Sequence, residues 1–205
     1  MGTEQMSLTG FTEKLASKAA VPGGGGASAL AGALGAALGS MVGELTLGKP
    51  KYAAVEDRMR DLTDRAKALS GELLAMIDAD AEAFTPLSHA YSIPRDDPSR
   101  EAELERCLRL AAEAPLRILR LCCEAVELME GFAAMGSALA VSDAATGAAL
   151  CLGALYGAAV NVKVNTKSMK DRTYAGAIDG QVDRLMDEYG KRAEKVYEDI
   201  YRRYC

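Results

Sequence analysis

Residues 21–47 read VPGGGGASALAGALGAALGSMVGELTL, and the reading of this stretch decides the fold. Val21-Pro22-Gly23-Gly24-Gly25-Gly26 is a break: a glycine in a helix interior costs about 1 kcal/mol relative to alanine, so four in succession predict a helix that begins only at Ala27. Beyond the break an apolar run continues to Leu47, interrupted late by Glu44. Within it Ser28, Gly32, Gly35, Gly39 and Gly43 recur at steps of four, three, four and four, which puts them on one helix face. A face without bulk lets a second helix approach closely.

A second run of the same kind, Ala138 to Val164, carries Ala145, Ala149, Gly153 and Gly157 four apart. Both runs approach the length of a membrane span. Each, however, contains or adjoins polar groups (Glu44, Ser142, Asp143, Asn161) and neither has a tryptophan belt, so both read as buried core helices.

Further out, the periods are amphipathic. Leu8, Phe11, Leu15 and Ala19 predict a short helix over 6–19. Val55, Met59, Leu62, Leu69, Leu73, Ile77 and Phe84 predict a long one from Tyr52 to about Tyr91, kinked or ended early by Pro86. Ile93 to Pro98 is a loop between two prolines. A helix from Ser99 to about Met129 is kinked or interrupted at Pro115. The last, from about Asp171 to Tyr201, buries Ile178, Val182, Leu185, Met186, Tyr189 and Val196. No alternating β-branched pattern competes. The expectation is an all-α, single-domain bundle of long antiparallel helices over residues 1–205, two of them rich in Gly and Ala.

Composition narrows the chemistry. Of 205 residues 49% are hydrophobic, yet there are 3 Phe and no Trp, so the core depends on close backbone approach. A net charge of -5 argues against nucleic acid as a partner. One histidine, His89, rules out any mechanism needing two imidazoles, and at a helix end it serves the dipole. The five cysteines form no CxxC pair, which argues against a zinc site, and no metal is expected. Their odd number suits a reducing cytoplasm. The start, MGTEQMSLTGFTEKL, reads as no export signal, and Met6 stands where a myristoylation site needs Ser or Thr.

Asp80 is the odd residue. Leu73, Ile77, Asp80 and Phe84 follow i, i+4, i+7 and i+11, so Asp80 lies on the apolar stripe, whereas Asp78 is about 200° around the helix from it. A carboxylate among apolar side chains costs several kcal/mol unless paired, hydrogen-bonded or neutral; it is either a tied structural group or a functional one. Asp143 poses the same question. Asn161 follows it by 18 residues, five helical turns, and Asn165 lies one turn beyond, a polar line down a helix of Ala and Gly. Alternatively Ser142 caps that helix and Asp143 sits at its positive end.

The glycine loop is no P-loop, since it lacks the GK[ST] signature. It offers bare N–H groups ahead of a helix. Lys49, Lys51 and Tyr52 follow that helix, and Lys163 and Lys167 adjoin Asn161 and Asn165, which favours an anionic ligand.

The stretches VPGGGGASALAGALGAALGSMVGELTLGKPKY, IDADAEAF, EAPLRI and VSDAATGAALCLGALYGAAVNVKVN resemble, in this order, the cyclodeaminase/cyclohydrolase family of one-carbon folate metabolism. The family comprises the C-terminal domain of formiminotransferase-cyclodeaminase and stand-alone methenyltetrahydrofolate cyclohydrolases. The four-glycine motif looks more like the stand-alone type. Ser137 and Leu139 depart from it, standing where members often carry Asn. The resemblance implies a cytoplasmic homodimer with a folate crevice, no cofactor, and an aspartate of IDADAEAF as acid/base. The stripe selects Asp80 over Asp78, with Asp143 as a second carboxylate. Implied contacts to substrate are Gly23, Gly24, Gly25 and Gly26 lining the crevice and Tyr52, Ser142, Asn161 and Asn165 near it. Lys49, Lys51 and Lys163 would meet a glutamate tail, polyglutamylated or not. The implied reactions are hydrolysis of 5,10-methenyltetrahydrofolate and cyclodeamination of 5-formiminotetrahydrofolate. A non-catalytic folate-binding subunit is the alternative.

Overall fold

The computed structural model describes residues 6–205; the Met1–Gln5 part of the N-terminal reading lies outside the described residues. Among those described, six α-helices and no strand occur: α1 Leu8–Leu15, α2 Gly24–Glu44, α3 Glu56–Tyr91, α4 Arg100–Met135, α5 Val141–Ser168 and α6 Arg172–Tyr201, with a 3-10 segment Pro50–Val55 leading into α3.

The central helix is α4, which packs against α2, α3, α5 and α6. Its apolar stripe, including Ile118, Leu119, Cys122, Val126, Met129 and Phe132, is fully or almost fully buried. In front of it α2 and α5 lie side by side and antiparallel. Ser28 of α2 fills the space a side chain on Gly157 would need, and a Cβ on Gly35 would come within 2.6 Å of Cys151 Sγ and 2.9 Å of the Gly147 carbonyl. The small-residue face of α2 is buried as its spacing predicts. Ser28 and Gly35 meet α5, Gly32 meets Cys122 of α4 and Leu73 of α3, Gly39 meets Met129 and Phe132, and Gly43 meets Thr63. Four of the five cysteines are buried and reduced in this core; Cys205 is exposed.

Several expectations need correction. Helix α2 begins at Gly24, not Ala27, because its first-turn N–H groups have no intrahelical partner in any case and neighbouring side chains occupy the space left by the glycines. Helix α1 is shorter than 6–19, with only Phe11 buried. Pro86 and Pro115 interrupt neither α3 nor α4, and α4 continues to Met135. Steps of four drift 40° per repeat on a 100° helix, so the α5 series leaves the core: Ala145 is buried, whereas Ala149 and Gly153 face outward. The buried residues of α5 include instead Ala144, Ala148, Cys151, Leu155, Ala158 and Val162. Helices α2 and α5 are long and apolar enough to cross a membrane, but half or more of each window is buried within the bundle.

Candidate active site

The break at Val21–Gly23 brings the start of α2 against the middle of α3 and the last turns of α5. Gly23 is the N-cap, with no side chain to bond the first N–H groups. That role falls to Asp80, whose carboxylate accepts from the Gly26 N–H. The carboxylate lies flat on Gly25, where a Cβ would overlap all three of its heavy atoms. Burial pushes the Asp80 carboxyl above its ordinary range, and the Gly26 N–H opposes that shift only in part. The result is a half-buried acid at the positive end of a helix, disposed to hold or release a proton nearer neutrality.

Beside it, Asn161 packs on Gly24, where a Cβ would fall 2.9 Å from its Nδ2. That Nδ2 donates to the Gly157 carbonyl at 2.8 Å, which leaves Oδ1 as the group for a ligand. Asn165 has another task. Pro115 has no N–H, so the Ala111 carbonyl one turn earlier lacks its helical partner, and Asn165 Nδ2 donates to it at 3.0 Å. Together Gly23, Gly24, Gly25, Asp80, Asn161 and Asn165 line one cleft of about 200 Å³, walled by Val21, Phe84, Pro115 and Val164. Gly26 lies behind it, against Pro22 and Ile77.

Other expected residues are elsewhere in the chain. Asp143 is in the first turn of α5, about 27 Å along the helix from Asn161, so the two share a face but not a site. Ser142 is exposed and does not cap that helix; Ala140 is the N-cap residue. Lys49, Lys51 and Tyr52 lie past the far end of α2, which is about 30 Å long. The Tyr52 hydroxyl accepts from the Ala138 N–H at 3.0 Å, and chiefly this bond holds its pKa below the usual phenol range. In the same corner the buried Ser137 donates its N–H to Thr46 Oγ1, while Leu139 is almost fully exposed. Lys163 pairs with Asp183 of α6. Asp78 is half-buried and is not among the residues lining the cleft. His89 is exposed in the last turn of α3. Sequence reasoning missed the Ala111 and Pro115 wall; the signal available was a proline inside a helix, which must leave a carbonyl for something to cap.

Comparison with known proteins bears on this cleft. The family model for formiminotransferase-cyclodeaminase matches residues 7–184. A methenyltetrahydrofolate cyclohydrolase of Methylorubrum extorquens is 38% identical over 194 residues, covering 93% of each chain. The formimidoyltransferase-cyclodeaminase of Mus musculus is 31% identical over 93% of this chain, which corresponds to 36% of that longer protein. Among solved structures, formiminotetrahydrofolate cyclodeaminase from Thermotoga maritima superposes with a TM-score of 0.84 at 27% identity, covering 97% of this chain and 98% of that one. The matched stretch contains the glycine turn, Asp80 and both asparagines, and on this match the chain belongs to the formiminotransferase-cyclodeaminase family.

Proposed function

We propose that the chain is a one-carbon folate enzyme that hydrolyses 5,10-methenyltetrahydrofolate to 10-formyltetrahydrofolate, with Asp80 as acid/base. The observation that carries this reading is the half-buried Asp80 carboxylate laid on Gly25 in the cleft, its pKa raised by burial. Water adds to the methenyl carbon of the cationic substrate, and Asp80 takes the proton that water loses. The tetrahedral carbon then releases N5, which receives that proton, leaving the formyl group on N10. One proton is released overall, and no step calls for a metal or cofactor. The carboxylate also offsets the positive charge of the amidinium before attack. Asn161, which lines the same cleft and commits its Nδ2 to the Gly157 carbonyl, would offer Oδ1 as a hydrogen-bond acceptor for the pterin.

Cyclodeamination of 5-formiminotetrahydrofolate is the second reading, favoured by the Thermotoga maritima neighbour, whose length this chain matches almost completely. The same residue would take the N10 proton as N10 attacks the formimino carbon and would protonate the departing ammonia. The reading further treats the chain as one catalytic domain acting as a cytoplasmic homodimer.

Purified protein supplied separately with the two folates tests this. The expected result is turnover of methenyltetrahydrofolate, reduced about 10²- to 10⁴-fold by Asp80→Asn. Folate binding without turnover of either substrate would favour the non-catalytic alternative.

A further inference from the structure

Three helices run on past the point where α2 begins. Gly24 and Gly25 lie against Asn161 and Asp80, and from that level α3 continues to Tyr91, α5 to Ser168, and α4 reaches back to Arg100. Over its own length α2 packs against all three, so its start leaves a groove on α4 between the ends of α3 and α5. The floor of the groove is one row of α4: Leu104, Leu108, Ala111 and Pro115 follow i, i+4, i+7 and i+11. Ala111 and Pro115 line the Asp80 cleft. Leu104 and Leu108 line a second cavity, of about 440 Å³, walled by Tyr91, Ser168 and the loop at 95–98. The two cavities follow one another, since Ser168 is one turn past Asn165 and Tyr91 is about 16 Å along α3 from Asp80. The Asp80 cleft, at about 200 Å³, is below the roughly 300–1,000 Å³ in which small-molecule sites bury their ligands, and the second cavity is within it.

The second cavity is apolar on one side, with Leu104, Leu108 and the half-exposed Tyr91 ring, and charged on the other. Most of its acids are committed. Asp97 accepts from the Ser99 N–H and hydroxyl, Glu101 pairs with Lys170, and Glu105 accepts from the Lys170 N–H and pairs with Arg109. Arg95 and Asp96 are exposed, and among the described residues neither has a charged partner. Arg100 holds the loop in shape, its Nε donating to the Ile93 carbonyl at 2.8 Å. No side chain caps α4 where it opens onto this cavity, so the positive end of a 36-residue helix adds to Arg95. We propose that the second cavity holds the aminobenzoyl-glutamate half of the folate whose one-carbon unit lies at Asp80, with Arg95 as the partner of the glutamate carboxylates. The benzoyl ring lies on Leu104 and Leu108 beside Tyr91. This inference rests on the folate reading above. It replaces Lys49, Lys51 and Lys163 as tail contacts, the first two lying past the far end of α2 and the third being paired with Asp183.

Kinetics with two substrates test the pairing: methenyltetrahydrofolate, and methenyltetrahydropteroate, which lacks the glutamate. Arg95→Ala should lower kcat/KM for the first by about tenfold, and so should removal of the glutamate from the substrate. The two losses together should be no larger than either alone, because they break the same contact. Asp96→Asn removes the opposing charge and should raise kcat/KM. Losses that add, an Arg95→Ala enzyme indistinguishable from the parent, or an Asp96→Asn enzyme weaker than the parent overturns the proposal. So does a tenfold loss in Lys51→Ala that Arg95→Ala does not show. A second readout needs no turnover. Ser168 is exposed in the cavity and four of the five native cysteines are buried, so Ser168→Cys with Cys205→Ser presents one reactive thiol. Tetrahydrofolate should slow its reaction with maleimide, and a tetrahydropterin without the aminobenzoyl-glutamate half should not. No protection by tetrahydrofolate in a protein that turns over methenyltetrahydrofolate overturns the proposal and leaves the folate reading standing. Protection without turnover by the parent upholds the cavity and overturns the catalytic reading, and neither protection nor turnover overturns both.

Discussion

At the scale of the residue, Asp80 holds a position that costs stability. Its carboxyl has a higher pKa in the folded chain than when unfolded, because burial outweighs the Gly26 hydrogen bond. The native state therefore binds this proton more tightly. The stability from that proton is fully present below the ordinary carboxylate value and is lost as pH rises through the raised native value. Asp80→Asn, uncharged throughout, should keep or raise the melting temperature at neutral pH, with the difference from the parent shrinking as pH falls toward about 4. A variant less stable than the parent at neutral pH would mean the ionised carboxylate is a net structural support. The glycine turn divides at the same scale. A Cβ on Gly25 would overlap the carboxylate, whereas Gly23 has open space around it. Displacing a reacting group by about 1 Å costs about 10²-fold, so Gly25→Ala should lower kcat by about that factor. A kcat within a few-fold of the parent, read by steady-state kinetics, would detach the glycine turn from Asp80. The position of Asp80 on an apolar stripe was legible from Leu73, Ile77 and Phe84. Its contact with Gly25 was not, because helical spacing says which face a residue occupies and nothing about which terminus meets that face.

At the scale of the element, Pro115 and Asn165 act as a pair. The helix survives an internal proline because a side chain from α5 replaces the missing N–H at the Ala111 carbonyl. Asn165→Leu should cost about 1–3 kcal/mol by leaving that carbonyl unpaired. Adding Pro115→Ala restores a backbone N–H at the same place and should recover most of the loss. If thermal unfolding shows the two changes to be additive, the pairing is wrong. The helices themselves were readable from their periods, since burying a 3.6-residue stripe dominates over local propensity. Propensity alone misleads at Gly24, Pro86 and Pro115: glycine and proline predict breaks there, although neighbouring side chains compensate at the first and last of these. The far-end groups show a different limit. Five whole turns put Asp143 and Asn161 on one face, but 18 residues of rise separate them by far more than a catalytic contact.

At the scale of the whole molecule, the four glycines of the α2 face and the small residues of α5 bring two uncharged helices together in front of α4. The same arrangement aims the start of α2 at Asp80. It also leaves exposed apolar residues on α5, of which Val164 lines the cleft. A stripe of Ala and Gly read as core alone is incomplete here, because both sides of α5 are apolar and only the packing decides which is covered by this chain. The central claim remains that Asp80 moves the proton in one-carbon chemistry on folate. Its most direct test is the initial rate of loss of methenyltetrahydrofolate absorbance for the parent and for folded Asp80→Asn at the same protein concentration. The account predicts turnover by the parent and a loss of about 10²- to 10⁴-fold in the variant. A folded Asp80→Asn protein working within a few-fold of the parent would contradict it.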